Sequence, residues 1–138
     1  MMREILFKGK RLDNGEWITG HLLRYDDGRA RIVPNNTDIF CFEKDESIIQ
    51  TVAHRVDPET VRQYTGFVDK NGKKIFEGDI VCMDDWIPPC MQVAYAQGAF
   101  YLAEIEKPVK YYGDIYYLNH GGNPCAKVIG NIYDDLSY

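Results

Sequence analysis

Residues 64–81, which read YTGFVDKNGKKIFEGDIV, place tight-turn signals between very short apolar segments. Asn71 and Gly72 accept positive φ at low cost, as the central residues of a hairpin turn must. The apolar pairs on either side of this turn predict two paired strands. Gly78 marks a second turn, after which residues 80–83 (IVCM) predict a buried strand. With turn signals this close together, the stretch can form short β-strands but cannot form a long helix.

The rest of the chain repeats this pattern of short apolar segments and turn signals. Asn14-Gly15 lies between two extended segments near the start, and Gln97-Gly98 lies between two more in the second half. Both sites predict hairpins. Many short strands at close spacing are typical of an all-β barrel or sandwich, so we predict a mainly β protein.

We predict two parts joined by a short helical segment. Residues 1–62 are expected to form a smaller N-terminal β unit, and residues 63–138 a small SH3-like barrel. Residues 57–64 are expected to be the helical joint, because Asp57 is a suitable N-cap and Pro58 suits the first helical position.

Composition limits the classes of function. The 138 residues include 16 basic and 21 acidic side chains, a formal net charge of −5 at pH 7. Non-specific nucleic-acid binding depends on clustered positive charge, so this balance argues against a general nucleic-acid binder. No apolar run approaches the roughly 20 residues that cross a bilayer. Residues 1–11 also lack the apolar segment of a secretory signal, so we expect a cytoplasmic protein without membrane contact.

The cysteine pattern predicts no metal site. The four cysteines are Cys41, Cys82, Cys90 and Cys125. They form no CxxC pair and no zinc-like spacing, and in the cytoplasm we expect them to remain thiols. Cys41 and Cys82 have apolar neighbours, as buried structural cysteines usually do. No Gly-rich phosphate-binding motif is present in the sequence, so we expect no cofactor.

Several segments together resemble a known family. Residues 64–67 (YTGF) and 69–81 (DKNGKKIFEGDIV) resemble the signature of the YopX family. Residues 7–10 and 15–20 (GEWITG) resemble the start of that family, and residues 128–133 (VIGNIY) resemble its end. Members of this family are small proteins encoded by bacteriophages, prophages and their bacterial hosts. The resemblance implies a β-rich fold that includes an SH3-like barrel, but no particular reaction and no catalytic residues.

The motif itself is explained by turns and packing without a ligand. Gly66, Gly72 and Gly78 lie where the chain must turn, and the apolar residues between them can fill a small core. Asp79 is expected to accept hydrogen bonds from neighbouring backbone N–H groups and so to fix its loop.

Loop aromatics in the second half are the candidate binding residues. Trp86 precedes two prolines, which exclude a central strand, and Tyr111 and Tyr112 lie in an irregular aromatic segment. His120 lies in a Gly-rich loop. Aromatic side chains in loops suit stacking on peptides, bases or side chains of a partner. The alternative is that these aromatics cover the ends of the barrel or pack against the N-terminal half.

Three functions remain open at this point. We expect a phage or prophage accessory protein of the host cytoplasm that acts by binding, associates with itself, and engages a host or phage protein. The alternative is a nucleic-acid-binding protein of phage genome metabolism, which a clustered basic face would favour. That face would consist of Lys8, Lys10, Arg11, Arg29 and Arg31.

An enzyme is the third hypothesis. A nucleophile needs a positioned base beside it, and the sequence places no histidine next to a cysteine. His120 and Cys125 are the pair that a loop could bring together. We nominate no catalytic residue.

Overall fold

The computed structural model describes most of the chain, and within that part the protein is mainly β, with antiparallel strands and two short 3-10 turns. The mainly β class predicted from the sequence is confirmed. No helical segment in this part is long and apolar enough to span a membrane. The described residues are 4–35, 53–105, 111–120 and 123–134, without the side chains of Tyr112 and His120.

The chain divides into two compact units, residues 1–63 and residues 64–138. In the first unit, antiparallel strands lie in the order β4-β3-β2-β1-β5. A buried cluster of Ala30, Ile32 and Val56 covers one face of this sheet. The elements are β1 (Phe7–Lys10), β2 (Trp17–Arg24), β3 (Ala30–Pro34), β4 (His54–Val56), the 3-10 turn η1 (Pro58–Thr60), and the first two residues of β5 (Arg62–Val68).

The helical joint predicted over residues 57–64 is shorter than expected. Only η1 is helical, and Asp57 caps it by accepting a hydrogen bond from a backbone N–H two residues later. Arg62 already belongs to β5, where it pairs with Lys8 on β1. The rest of the predicted helix is extended because these residues complete the sheet of the first unit.

The second unit holds a five-stranded antiparallel sheet with the strand order β10-β9-β8-β7-β13. In addition, the end of β5 pairs with β6, and β11 pairs with β12. Within the described residues the five-stranded ladder is open, because no pair joins β10 to β13. The SH3-like barrel is therefore not confirmed. The elements are β6 (Lys74–Phe76), β7 (Asp79–Cys82), β8 (Cys90–Ala96), β9 (Ala99–Ala103), β10 (Tyr111–Asp114), η2 (Ile115–Leu118), β11 (Asn119–His120), β12 (Asn123–Pro124) and β13 (Lys127–Asn131).

Gly78 occupies a crowded turn between β6 and β7. Its φ is +84°, in the left-handed region that favours glycine. Its N–H donates to the carbonyl of Val93 at 2.7 Å, and its own carbonyl accepts from the N–H of Ile132 at 2.9 Å. A Cβ atom at this position would lie 2.8 Å from the ring of Tyr133. The sharp turn predicted at Gly78 is confirmed.

Two aspartates fix the turns of this motif. Asp69 is buried and accepts hydrogen bonds from the backbone N–H groups of Asn71, Lys73 and Val128, at 2.8, 2.9 and 3.1 Å. Burial of this carboxyl works to raise its pKa, but the three N–H donors outweigh burial and hold the pKa below its ordinary value. As predicted, Asp79 also accepts from the backbone, at 2.8 Å from the N–H three residues before it.

The expectation that all cysteines are thiols is wrong for two of them. Cys82 on β7 and Cys90 on β8 lie directly opposite each other and form a disulfide. Their Cα atoms are 4.1 Å apart, a proximity that comes from strand register and has no signature in the sequence spacing. Cys82 is half-buried and not a buried thiol. Cys41 lies outside the described residues.

Candidate functional site

A cleft of the second unit lies beside the β8–β9 hairpin and β10. It has a volume of about 310 Å³. The hairpin turn is Gln97-Gly98, as predicted, with φ of +53° and +81° at the two positions. Positive φ at both central residues is the geometry of the tight turns that suit twisted hairpins. We call this site the aromatic cleft; its walls are Ala96, Gln97, Ala99, Phe100, Tyr101, Tyr111 and Asp114.

Two aromatic pairs lie at and beside the aromatic cleft. The rings of Tyr101 and Tyr111 are 6.0 Å apart, and those of Tyr95 and Phe100 are 5.0 Å apart in an edge-to-face arrangement. Tyr95 is 49% exposed and Tyr111 is 59% exposed. Exposed aromatic rings offer apolar area with few rotatable bonds, which is why they are frequent at protein interfaces.

A carboxylate gives the aromatic cleft a polar side. The hydroxyl of Tyr111 donates to Oδ1 of Asp114 at 3.2 Å. Partial desolvation, followed by this hydrogen bond and the nearby negative charge, raises the pKa of Tyr111. Tyr111 therefore remains a neutral hydrogen-bond donor at physiological pH. The aromatic cleft thus combines an apolar wall with one acidic group.

Of the four predicted site residues, Tyr111 and Trp86 have side chains that the structure describes. Tyr111 lines the aromatic cleft. Trp86 is half-buried in the loop between the two disulfide cysteines and packs against the buried core of the second unit. Tyr112 lies on β10 and His120 on β11, and their side chains are outside the described residues.

Sequence reasoning missed most of the cleft walls and also Tyr95, which lies beside the cleft. Tyr95 and Phe100 flank the predicted Gln97-Gly98 turn, so the hairpin pattern could have placed both rings at one tip. Tyr101 and Asp114 carried no comparable signal, because they meet through the pairing of β9 with β10.

The side chain of His120, which the sequence suggested as a partner of Cys125, lies outside the described residues. The thiol of Cys125 donates to the backbone carbonyls of Tyr117 and Leu118, at 3.3 and 3.2 Å. Among the residues whose positions are described, no group of three histidine, cysteine or acidic side chains could hold a metal ion.

The fold and the site define a mainly β protein of two compact units with an exposed aromatic cleft in the second. The family model described as YopX protein matches residues 6–136, nearly the whole length. The chain belongs to the YopX family, as the resemblance of residues 64–81 indicated. A search of curated proteins gave no match.

Proposed function

We propose that this protein acts by binding an extended segment of a partner protein at the aromatic cleft, and that it serves a phage or prophage. The observation that supports the proposal most directly is the exposed ring of Tyr111 on β10. β10 is an end strand of the described ladder and pairs with β9 on one side. An end strand beside an aromatic cleft suits a partner chain in extended conformation.

The recognition mode follows from this geometry. An extended peptide forms main-chain hydrogen bonds with an end strand, and its alternate side chains enter neighbouring clefts. A cleft of about 310 Å³ accommodates one or two side chains. Its aromatic wall favours an apolar side chain, and the carboxylate of Asp114 favours a basic side chain next to it. We therefore propose partner segments that carry an apolar residue beside lysine or arginine.

Peptide display tests this proposal. Segments of host and phage proteins are displayed and selected on the purified protein, and the affinities of the selected peptides are measured by fluorescence anisotropy. Tyr101→Ala and Tyr111→Ala, which remove two aromatic walls of the cleft, should each weaken binding about tenfold, which corresponds to about 1.4 kcal/mol. Tyr116→Ala is the control, because Tyr116 is 72% exposed in the same unit but lies outside the cleft walls. Peptides that bind the Tyr111→Ala variant as tightly as the wild type would contradict the proposal.

Self-association is proposed through the same end strand. Unpaired strand edges associate readily, and a second copy is one partner that can cover them. Sedimentation equilibrium over a hundredfold range of concentration should reveal a dimer that Tyr111→Ala dissociates and Tyr116→Ala preserves. A wild-type chain that stays monomeric over this range would exclude self-association and leave the peptide experiment to decide the binding proposal.

A further inference from the structure

One face of the first unit's sheet carries three arginines at one end. Arg31 on β3 lies directly opposite Arg55 on β4. The hydrogen bond from the N–H of Tyr25 to the carbonyl of Arg29 extends the β2–β3 ladder to Arg29, two positions before Arg31. Since alternate residues of a strand share a face, Arg29, Arg31 and Arg55 lie on one side of the sheet. The buried cluster around Ile32 lies on the other side.

Two of these arginines form a like-charge pair. Equal charges at directly opposite positions destabilise an antiparallel sheet. Neither Arg31 nor Arg55 makes an ion pair with a described carboxylate. Nη1 of Arg31 donates to the carbonyl of Ala53 at 3.2 Å, which holds this guanidinium along β4. Arg31 is half-buried and Arg55 is exposed, so an anion can reach both from solvent.

Arg29 adds charge beside an aromatic ring. Its guanidinium lies 5.3 Å from the ring centre of Tyr25, and Nε lies 2.7 Å from a carboxylate oxygen of Asp27. Both members of that ion pair are more than half exposed, so the pair contributes little and a phosphate group can replace the carboxylate. The planar guanidinium of arginine matches phosphate in two simultaneous hydrogen bonds.

We propose that Arg29, Arg31 and Arg55 form a surface that binds the phosphate groups of a single nucleic-acid strand. The three positions extend along β3 and across to β4, so they can contact more than one phosphate. Tyr25 supplies a ring beside them, and basic surfaces with neighbouring aromatics are typical of single-strand binding. The aromatic cleft, in the other unit, has no part in this proposal.

The distribution of arginine explains how an acidic chain can carry such a surface. All of the arginines precede residue 64, and the second unit has none. Of the basic face predicted from the sequence, Arg29 and Arg31 belong to this surface. Arg11 is instead paired with Asp13 at 2.6 Å, and Nζ of Lys10 lies 5.4 Å from the ring centre of Trp17.

Fluorescence anisotropy with a labelled 20-nucleotide single strand, at 50 to 200 mM NaCl, tests the proposal. Three phosphate contacts predict a log–log salt slope of about −2, since each contact contributes about 0.7 on a single strand. Arg31→Ala with Arg55→Ala should weaken binding at least tenfold and reduce the magnitude of the slope by about 1.4. Arg24→Ala is the control, because Arg24 pairs with Ala30 on the other face of the sheet.

Three results would overturn the proposal. These are the absence of binding at 50 mM NaCl, equal weakening by Arg24→Ala and Arg55→Ala, and competition by inorganic phosphate at the same phosphate concentration as the oligonucleotide. Thermal unfolding gives a second readout. Because Arg55 is exposed and its truncation relieves the like-charge pair while leaving the hydrogen bond of Arg31 in place, the melting temperature of Arg55→Ala should equal or exceed that of the wild type. A marked decrease would show a structural role for Arg55 and overturn the assignment.

Discussion

The carboxylate of Asp69 accepts a hydrogen bond from the backbone N–H of Val128, 59 positions later in the chain. The Oδ2 and N atoms are 3.1 Å apart, and the contact is buried. Oδ1 accepts from the N–H groups of Asn71 and Lys73 in the adjoining turn. One side chain therefore links the turn after β5 to β13.

Asp69→Ala should lower the free energy of unfolding by about 3 kcal/mol, because the buried N–H of Val128 loses its acceptor and the turn loses two more hydrogen bonds. Urea denaturation followed by circular dichroism measures the change. Asp27→Ala is the control, because Asp27 caps an exposed turn and its loss should change stability by less than about 1 kcal/mol. Equal effects of the two substitutions would contradict the role given to Asp69.

The stability supplied by Asp69 should depend on pH in a defined direction. The pKa of this carboxyl is lower in the folded chain than its ordinary value of 3.8. Ionised Asp69 therefore stabilises the fold fully above the unfolded pKa, and this contribution disappears as pH falls through the folded pKa. The stability difference between wild type and Asp69→Asn should be constant from pH 5 to 7 and shrink below about pH 4. A difference that grows on acidification would contradict the sign of the shift.

Gly78→Val should destabilise the second unit by about 3 kcal/mol or more, through positive φ and contact with the ring of Tyr133. Gly28→Val separates the two causes. Gly28 has φ of +95°, but a Cβ there meets no atom within 4 Å, so only the backbone penalty of about 1–2 kcal/mol is expected. Differential scanning calorimetry measures both variants. If Gly78→Val melts no lower than Gly28→Val, contact with Tyr133 is not a cause of destabilisation.

Reduction of the Cys82–Cys90 disulfide should lower the free energy of unfolding by about 2.5 kcal/mol, the amount expected for closing a loop of this length. The same change should loosen the loop that carries Trp86, which packs on the core, and shift its fluorescence to longer wavelength. A Trp17→Phe background leaves Trp86 as the fluorescent reporter. Thiol alkylation with mass spectrometry verifies the bond, and alkylation of both cysteines without a reductant would contradict it.

Local features of the fold were predictable, because they depend on neighbouring residues. Gly72 and Gly98 both adopt the positive φ that a glycine in a turn favours, whereas Gln97 adopts it without such a preference and Asn71 does not adopt it. The disulfide was not predictable, because eight positions of sequence separation say nothing until β7 and β8 are in register. The predicted helix after Asp57 is too long for a related reason. Residues 62 and 63 pair with β1, and this pairing outweighs their local preference for a helical turn.

The candidate sites depend even more on register. Tyr111 was nominated from its aromatic surroundings, but its partner Tyr101 is brought to it by the β9–β10 pairing. Trp86 is half-buried and also packs against the core, a contact that the loop sequence alone does not reveal. Arg31 and Arg55 are 24 positions apart, so their pairing depends on how β3 meets β4.

The position of β13 determines when each part of the chain can fold during synthesis. β7 pairs with β8 on one side and with β13 on the other. Residues 127–131, which form β13, leave the ribosome long after β7 does. Until these residues emerge, the carboxylate of Asp69 has no hydrogen bond from the N–H of Val128, and β7 has no partner strand on that side. The described strand pairs of the first unit are complete by residue 63, so that unit can form while translation continues. The second unit completes its five-stranded sheet only when β13 becomes available to pair with β7.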